Sequence, residues 1–257
     1  MTTIAAPPSI DPRGYAARPD LLKDRVILVT GAGDGIGKAA AMAFAAHGAT
    51  LVLLGRKAGS LERLHDQIVA AGQPEPAIAV LDLARAQGPA YFDLVERLRE
   101  RYGRLDGLLH NAAILGDRTP IEQYDVARWH EVLHVNLTAP FILTRLLLPL
   151  LREPPDASVI FTTSGVGRRG KAYWGAYAVS KFGVEGLAQV LAEELQNVSR
   201  IRVNCINPGA TRTRMRRAAY PGEDPERRPP PEQIMGPYLY LMGPDSRELT
   251  GQSLDCQ

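Results

Sequence analysis

This chain of 257 residues has few cysteines and few aromatic residues, and it has no large excess of either charge. The two cysteines, Cys205 and Cys256, have no CxxC or Cys/His spacing, which excludes a disulfide framework and gives no metal site. We interpret both as small core residues in a reducing compartment. The chain has 30 basic and 28 acidic residues, so the charge balance does not favour a nucleic-acid partner.

Long uninterrupted apolar runs are also absent. The most apolar stretch, residues 141–151, is interrupted by Arg145 and Pro149 and is too short to span a bilayer. Residues 1–20 lack the apolar core of a signal peptide and are rich in proline and small residues, so we expect an arm or linker there. We therefore expect a cytoplasmic protein without membrane contact, with one domain at residues 21–257.

Short apolar runs alternate with helical periods along the rest of the chain. The runs predict strands at 25–30, 50–54, 77–81, 105–110, 158–163 and 201–206. The intervening patterns predict helices ending at Gly48, Gly72 and Gly103 and two longer ones near 124–150 and 175–197. Apolar strands that alternate with helices predict a single doubly wound α/β domain of Rossmann type, with a mostly parallel sheet covered on both faces. Such folds bind ligands at the carboxyl ends of the strands.

Residues 211–234 break this alternation directly after the sixth strand. The segment holds six arginines and five prolines. A long irregular segment at that end of the sheet predicts a lid over a substrate site, and a solvated surface loop is the alternative.

A glycine-rich turn follows the first strand. It supplies Gly31, Gly33, Asp34, Gly35, Ile36 and Gly37, and it lies between a strand and a helix, which is the context that a dinucleotide-binding turn requires. Glycines allow backbone N–H groups to approach a pyrophosphate, and the helix N-terminus favours its negative charge. A purely structural turn is the alternative.

The end of the second strand indicates which dinucleotide is bound. An NAD site places an acidic residue there to hold the ribose 2′-hydroxyl. This chain has Gly55, followed by Arg56 and Lys57. Because no carboxylate repels a 2′-phosphate and Arg56 can bind one, we predict NADP(H) as the cofactor. An exposed basic pair is the alternative interpretation.

Tyr177 and Lys181 lie four residues apart on a predicted helix and so share one face. Ser164 precedes Tyr177 by thirteen residues, at the end of the fifth strand. An ammonium about 4 Å from a phenol, at an effective dielectric of about 20, favours the phenolate by roughly 4 kcal/mol. We therefore expect Lys181 to lower the pKa of Tyr177 by about three units, toward the pH at which it can act as acid and base.

Together these motifs resemble the short-chain dehydrogenase/reductase family. The resemblance covers residues 21–257 and rests on TGAGDGIG (30–37), Asn111-Ala112-Ala113, Asn136, Ser164, Tyr177-Ala-Val-Ser-Lys181 and Asn207-Pro208-Gly209. Phrases such as LDGLLHNA (105–112) and RVNCINPGATRT (202–213) are most similar to the bacterial YciK-type oxidoreductases of that family. His110 and Ala113 depart from the family's usual Asn-Asn-Ala-Gly, and the methyl group of Ala113 narrows the room near the cofactor.

The resemblance implies an oxidoreductase that interconverts a carbonyl and an alcohol on a small molecule. Tyr177 would transfer the proton, Ser164 would orient the substrate oxygen, Lys181 would hold the ribose hydroxyls and Asn136 would anchor a water molecule. It also implies a homodimer or homotetramer and further cofactor contacts at Asp82, Leu83, Asn111, Ala112, Tyr177, Lys181, Pro208, Gly209 and Thr211. No metal is expected.

Each residue also has a structural interpretation. Tyr177 could be a core tyrosine, Lys181 a surface lysine, Ser164 a helix cap and Asp82 a solvated strand end. Asn136 could bond helix backbone near Pro140. A dinucleotide-binding regulatory protein with little turnover is the alternative function. The residues just before Tyr177, namely Ala172, Tyr173 and Trp174, are expected to line the substrate pocket.

Overall fold

A computed structural model describes residues 11–257. Over that range, seven strands form one sheet in which every neighbouring pair is parallel. The strands are β1 (Val26–Thr30), β2 (Thr50–Gly55), β3 (Ala77–Val80), β4 (Gly107–His110), β5 (Ala157–Thr162), β6 (Ile201–Asn207) and β7 (Ser253–Asp255). Their spatial order is β3-β2-β1-β4-β5-β6-β7. The order reverses between β1 and β4, and ligands of such sheets bind at that crevice. The predicted doubly wound fold is confirmed.

Eight α-helices cover the sheet within the described range. They are α1 (Gly35–Ala46), α2 (Ala58–Ala70), α3 (Gly88–Tyr102), α4 (Val126–Leu133), α5 (Ala139–Arg152), α6 (Gly175–Leu195), α7 (Arg214–Ala219) and α8 (Met235–Met242). The predicted helix ends at Gly72 and Gly103 are confirmed, since both glycines have positive φ directly after a helix.

Alternate strand residues face two separate hydrophobic cores. Ile27 and Val29 of β1 belong to the core beneath α1, α2 and α8. Leu28, between them, belongs to the core beneath α3, α5 and α6. Because both faces of each central strand are buried, these strands are apolar throughout, which is the pattern that made them recognisable in the sequence.

Four elements differ from the sequence-based expectation. The predicted long helix at 124–150 is divided by a π-helical turn at His134–Thr138 into α4 and α5. The lid segment contains the short helix α7 rather than being wholly irregular. Helix α8 and strand β7 were not predicted, because α8 is buried and has no clear polar face, and β7 has only three residues.

The first described residues belong to the predicted N-terminal arm, and they pack against the domain. Tyr15 lies 5.2 Å from Tyr240 of α8, ring centroid to ring centroid, and its hydroxyl donates to Asp245 over 2.6 Å. Residues 11–20 are therefore not a free linker; residues 1–10 of the predicted arm lie outside the described range.

The helical stretch Val126–Arg152 is, by length and composition, apolar enough to cross a membrane, contrary to the sequence-based expectation. Its 27 residues join α4, the π turn and α5. Leu143, Leu147 and Leu151 of this stretch are buried in the core beneath α5, so packing against the sheet accounts for much of its apolar character.

Candidate active site

The glycine-rich turn wraps around the N-terminus of α1 at the carboxyl end of β1. Gly31 and Gly35 adopt positive φ angles of 68° and 53°. A Cβ at Gly37 would lie 2.2 Å from the carbonyl oxygen of Gly31, so only glycine fits there. Asp34 caps the helix by accepting from the Gly35 N–H over 2.8 Å. The N–H groups of Ile36 and Gly37 donate to no other residue in the range 11–257, so the helix start can receive a diphosphate.

Thr30 joins this turn to the loop after β4. Its buried hydroxyl accepts from the N–H groups of Asn111 (3.0 Å) and Ala112 (3.1 Å) and donates to the carbonyl of Leu109 over 3.3 Å. The Asn111 amide packs against the turn, 2.6 Å from where a Cβ of Gly37 would be. Sequence analysis did not identify Thr30 as a site residue. Its hydrogen-bond partners follow β4, which begins 77 residues later in the chain.

Arg56 stands at the end of β2, where an NAD site would have an acidic residue. Its side chain is exposed and forms no hydrogen bond or ion pair with any other residue that the structure describes. The guanidinium is therefore available to a phosphate oxygen.

Asp82 and Leu83 follow β3 at the same edge of the sheet. The Asp82 carboxylate accepts from the Ala84 N–H over 3.1 Å, so it stabilises the local turn. Leu83 is buried in the core beneath α3, α5 and α6. Their predicted contact with the cofactor stays a prediction.

Ser164, Tyr177 and Lys181 come together at the carboxyl end of β5. Tyr177 and Lys181 are both buried in the first turns of α6. The Lys181 ammonium donates to the carbonyl of Thr162 over 2.7 Å and lies 5.7 Å from the centroid of the Tyr177 ring. Ser164 makes no side-chain capping bond to the 3₁₀ turn at Gly165–Gly167, which argues against its interpretation as a helix cap.

The expected lowering of the Tyr177 pKa is wrong for this arrangement. Burial raises the pKa of Tyr177 to about 12, opposed by hydrogen bonding with Ser164. Burial also lowers the pKa of Lys181 to about 8, opposed by the negative charge of Glu185. The cost of desolvating the phenolate outweighs the attraction of an ammonium that is directed toward Thr162.

Asn136 lies in the π turn between α4 and α5 and is completely engaged by protein atoms. Its side-chain oxygen accepts from the Ile114 N–H over 2.8 Å, and its amide nitrogen donates to the Ile114 carbonyl and the Ser180 hydroxyl, each over 3.0 Å. The side chain thus ties the loop after β4 to α6, rather than bonding helix backbone near Pro140. Its role with water stays a prediction.

Pro208, Gly209 and Thr211 follow β6 and are held by the side chain of Gln257. The Gln257 amide donates to the Pro208 carbonyl over 2.5 Å and to the Thr211 hydroxyl over 3.1 Å. Thr211 in turn donates to Pro208 over 3.0 Å. Sequence analysis missed Gln257, because no local pattern relates it to a loop 46 residues earlier.

Only one of the three predicted pocket residues before Tyr177 lies beside it. Trp174 is buried, with its ring centroid 5.5 Å from that of Tyr177, whereas Ala172 and Tyr173 are exposed. Tyr173 has a φ of 68°, so the chain turns outward there before α6 begins. The rest of this apolar cluster comes from other segments, with Leu115, Val166, Met215, Ala219 and Tyr220.

The lid segment, residues 211–234, packs against this cluster, and the side chain of Arg118 connects the two. The guanidinium of Arg118 lies 4.5 Å from the Trp174 ring and 5.1 Å from the Tyr220 ring, and it donates to the carbonyl of Ala219 at the end of α7. Cations against aromatic faces stabilise such contacts. Met215, Ala219 and Tyr220 of this segment thus lie in the cluster with Tyr177, and its role as a lid over a substrate stays a prediction.

His110, the departure from the usual family motif, is a structural residue. It is buried, stacks on Phe161 at 4.8 Å and bonds the Thr144 hydroxyl over 2.8 Å. Because Thr144 donates its own proton to the Pro140 carbonyl, the His110 ring nitrogen is the donor. Burial, with a smaller effect of Lys181, lowers the pKa of His110 to about 3, so the ring is neutral.

Comparison with known proteins agrees with this geometry. The family model described as short chain dehydrogenase matches residues 25–224, which include the glycine turn, Ser164, Tyr177 and Lys181. The chain belongs to the short-chain dehydrogenase/reductase family. Among curated members of this oxidoreductase family, it is 49% identical over 243 residues to the oxidoreductase YciK of Escherichia coli K12, covering 95% of this chain and 96% of that protein.

Solved structures of family members share the whole fold. A short chain dehydrogenase from Pseudomonas syringae superposes with a TM-score of 0.93 at 58% identity and covers 95% of this chain and 98% of its own. A short chain dehydrogenase from Escherichia coli CFT073, solved as a complex with NADPH, superposes with a TM-score of 0.91 at 50% identity, covering 94% of this chain and 100% of its own.

Proposed function

We propose that this family member is an NADP(H)-dependent oxidoreductase that interconverts a carbonyl and an alcohol on a small molecule. The observation that carries the proposal is the meeting of Tyr177, Ser164 and Lys181 at the carboxyl end of β5, at the same edge of the sheet as the glycine turn. A buried phenol next to a hydroxyl and an ammonium is a suitable proton donor for a carbonyl oxygen.

NADP(H) is the cofactor that these residues fit. The free N–H groups of Ile36 and Gly37 suit a diphosphate, and Arg56 suits a 2′-phosphate. The relative solved as a complex with NADPH, at 50% identity, supports the same choice. When bound, this cofactor supplies or accepts the hydride.

The chain's own residues then handle the proton and the substrate oxygen. Ser164 donates a hydrogen bond to that oxygen and fixes its position beside Tyr177. Tyr177 gives its hydroxyl proton to the oxygen during reduction and takes it back during oxidation. Lys181, held by Thr162, places a positive charge near the phenol and stabilises the phenolate that reduction leaves behind.

The raised pKa of Tyr177 sets the protonation state from which each direction starts at neutral pH. With a pKa of about 12, the phenol carries its proton and is ready to donate it. Oxidation of an alcohol instead begins with the phenolate, which is rare at that pH.

The replacement Tyr177→Phe tests the proposal, because it removes the proton donor and keeps the ring that packs on Trp174. We expect NADPH-dependent reduction of a panel of ketones, aldehydes and quinones to fall by about two to four orders of magnitude, with NADPH binding retained. Activity is followed by absorbance of the reduced nicotinamide and binding by its fluorescence. Undiminished turnover in the variant would contradict the mechanism. Absence of turnover in the wild type, with NADPH bound, would favour a regulatory binding protein.

We further propose a homodimer or homotetramer that forms through α5 and α6. Phe141 on α5 and Val179, Phe182 and Val190 on α6 are each about half exposed. Adjacent apolar side chains on two neighbouring helices form a surface that a second copy can cover.

A further inference from the structure

A pocket of about 260 Å³ lies between the first turn of α1 and the lid. Five arginines of the lid line it: Arg212, Arg214, Arg216, Arg217 and Arg228. Two carboxylates, from Asp34 and Glu223, also reach it. The lining is therefore strongly positive.

The two carboxylates are already paired within the pocket. Glu223 accepts from Arg216 over 2.6 Å and from Arg228 over 2.8 Å. Asp34 pairs with Arg214 at 3.1 Å. Arg217 is exposed and has no acidic partner among residues 11–257, and the partner of Arg212, Glu226, lies outside the lining. Positive charge is thus left over for a ligand.

The pocket lies close to the proposed catalytic phenol. Tyr220 is part of its lining and has its ring 5.9 Å from that of Trp174. Trp174 is in turn 5.5 Å from Tyr177. Trp174 therefore connects the lining of the pocket to Tyr177.

Asp34 and Gly35 of the glycine turn also line the pocket, so it adjoins the position expected for the diphosphate, but none of the predicted cofactor contacts is an arginine of the lid. The diphosphate is matched by the backbone N–H groups of Ile36 and Gly37, and the 2′-phosphate by Arg56, which does not line the pocket. The five guanidinium groups come instead from the lid, the segment that lies over the Tyr177 cluster.

We propose that this pocket binds an anionic group of the substrate, a phosphate or carboxylate, while the substrate's carbonyl lies at Tyr177. Planar guanidinium groups bind both anions in a bidentate manner. The inference rests on the proposed function, since it specifies the substrate class of the same site.

Two variants test it: Arg217→Gln, which removes the unpaired guanidinium, and Arg200→Gln, a matched control at an exposed arginine directly before β6 and outside the pocket. Calorimetry measures binding of inorganic phosphate to the NADPH-saturated protein. Turnover is compared for 7-oxooctanoate and its methyl ester, which present the same carbonyl with and without a carboxylate. Fluorescence titration measures the Kd of NADPH.

We expect Arg217→Gln to weaken phosphate binding about tenfold and to lower the acid-to-ester ratio of kcat/KM by a similar factor, as loss of one charge-assisted bond implies. The Kd of NADPH and all values for Arg200→Gln stay as in the wild type.

Unchanged phosphate binding in Arg217→Gln would overturn the proposal. So would a tenfold weaker Kd for NADPH, which would assign the pocket to the cofactor's phosphates. If no carbonyl compound of the panel is turned over, the oxidoreductase proposal fails separately, and the phosphate titration still decides whether the pocket binds anions.

Discussion

Tyr177 and Lys181 illustrate how burial changes the chemistry of single side chains. Both lie in α6 with almost no solvent contact, so burial disfavours the charged form of each. The pKa of Tyr177 is raised to about 12 and that of Lys181 is lowered to about 8. At neutral pH the pair is a phenol beside an ammonium.

This protonation state predicts opposite pH profiles for the two directions. Oxidation uses the phenolate, and far below a pKa of about 12 its fraction rises tenfold per pH unit. We expect kcat/KM for alcohol oxidation to rise about tenfold per unit between about pH 5 and 7, where Lys181, with a pKa of about 8, stays charged. Reduction uses the phenol, so its kcat/KM stays level over that range. Initial rates with NADP⁺ and NADPH measure both, and a level oxidation profile would contradict the assignment.

At the same scale, we propose that Arg56 is the charge that distinguishes the two cofactors. In Arg56→Glu, a carboxylate replaces the guanidinium at the end of β2 and repels a 2′-phosphate. We expect the kcat/KM for NADPH, divided by the kcat/KM for NADH, to fall by about ten- to 150-fold. Arg200→Glu, at the opposite end of the sheet, makes the same charge change and leaves the ratio unaltered. An unaltered ratio in Arg56→Glu would assign the 2′-phosphate to other residues.

At the scale of elements, the site depends on how closely β1, α1 and the loop after β4 approach one another. Gly37 of α1 contacts the carbonyl of Gly31, and Thr30 bonds the loop after β4. Asn136 holds that loop from the other side through Ile114. The start of α1 is therefore positioned by contacts between elements.

Gly37→Ala tests this close approach. Its methyl group would lie 2.2 Å from a backbone oxygen, which cannot move without shifting the turn. We expect the variant to have a lower Tm, because one overpacked contact destabilises the turn. We also expect NADPH to bind about tenfold more weakly or worse. Gly88→Ala, at the start of α3 and outside the apolar surface of α5 and α6, is the control, because nothing lies within 4 Å of the added carbon. It is expected to be neutral or to stabilise by about 0.5–1 kcal/mol. Equal Tm and binding in the two variants would contradict the explanation.

At the scale of the whole molecule, α5 and α6 present apolar side chains on the outside of the domain. Phe182→Glu places a charge in the middle of this surface. If a second copy covers it, the charge becomes buried without a partner, which costs several kcal/mol. We expect the variant to run as a monomer in light scattering.

Val69→Glu serves as the control for Phe182→Glu. Val69 is 44% exposed and Phe182 is 45% exposed, but Val69 lies on α2, over the opposite face of the sheet. The Val69 variant is expected to keep the wild-type mass. A wild-type protein that is itself monomeric would refute the proposed assembly.

Local patterns in the sequence were enough to predict the parallel sheet, six of its strands and the glycine turn at residues 31–37. Buried parallel strands are apolar on both faces and helices repeat every 3.6 residues, so neighbouring residues carry that information. The spacing of Ser164, Tyr177 and Lys181 was visible for the same reason. The tertiary structure alone decided the protonation of Tyr177, because desolvation depends on every group packed around it. It also decided that Thr30, Gln257 and Arg118 support the site, and that the arginines of the lid surround a pocket beside α1. Those relationships join residues far apart in the chain, which no local pattern records.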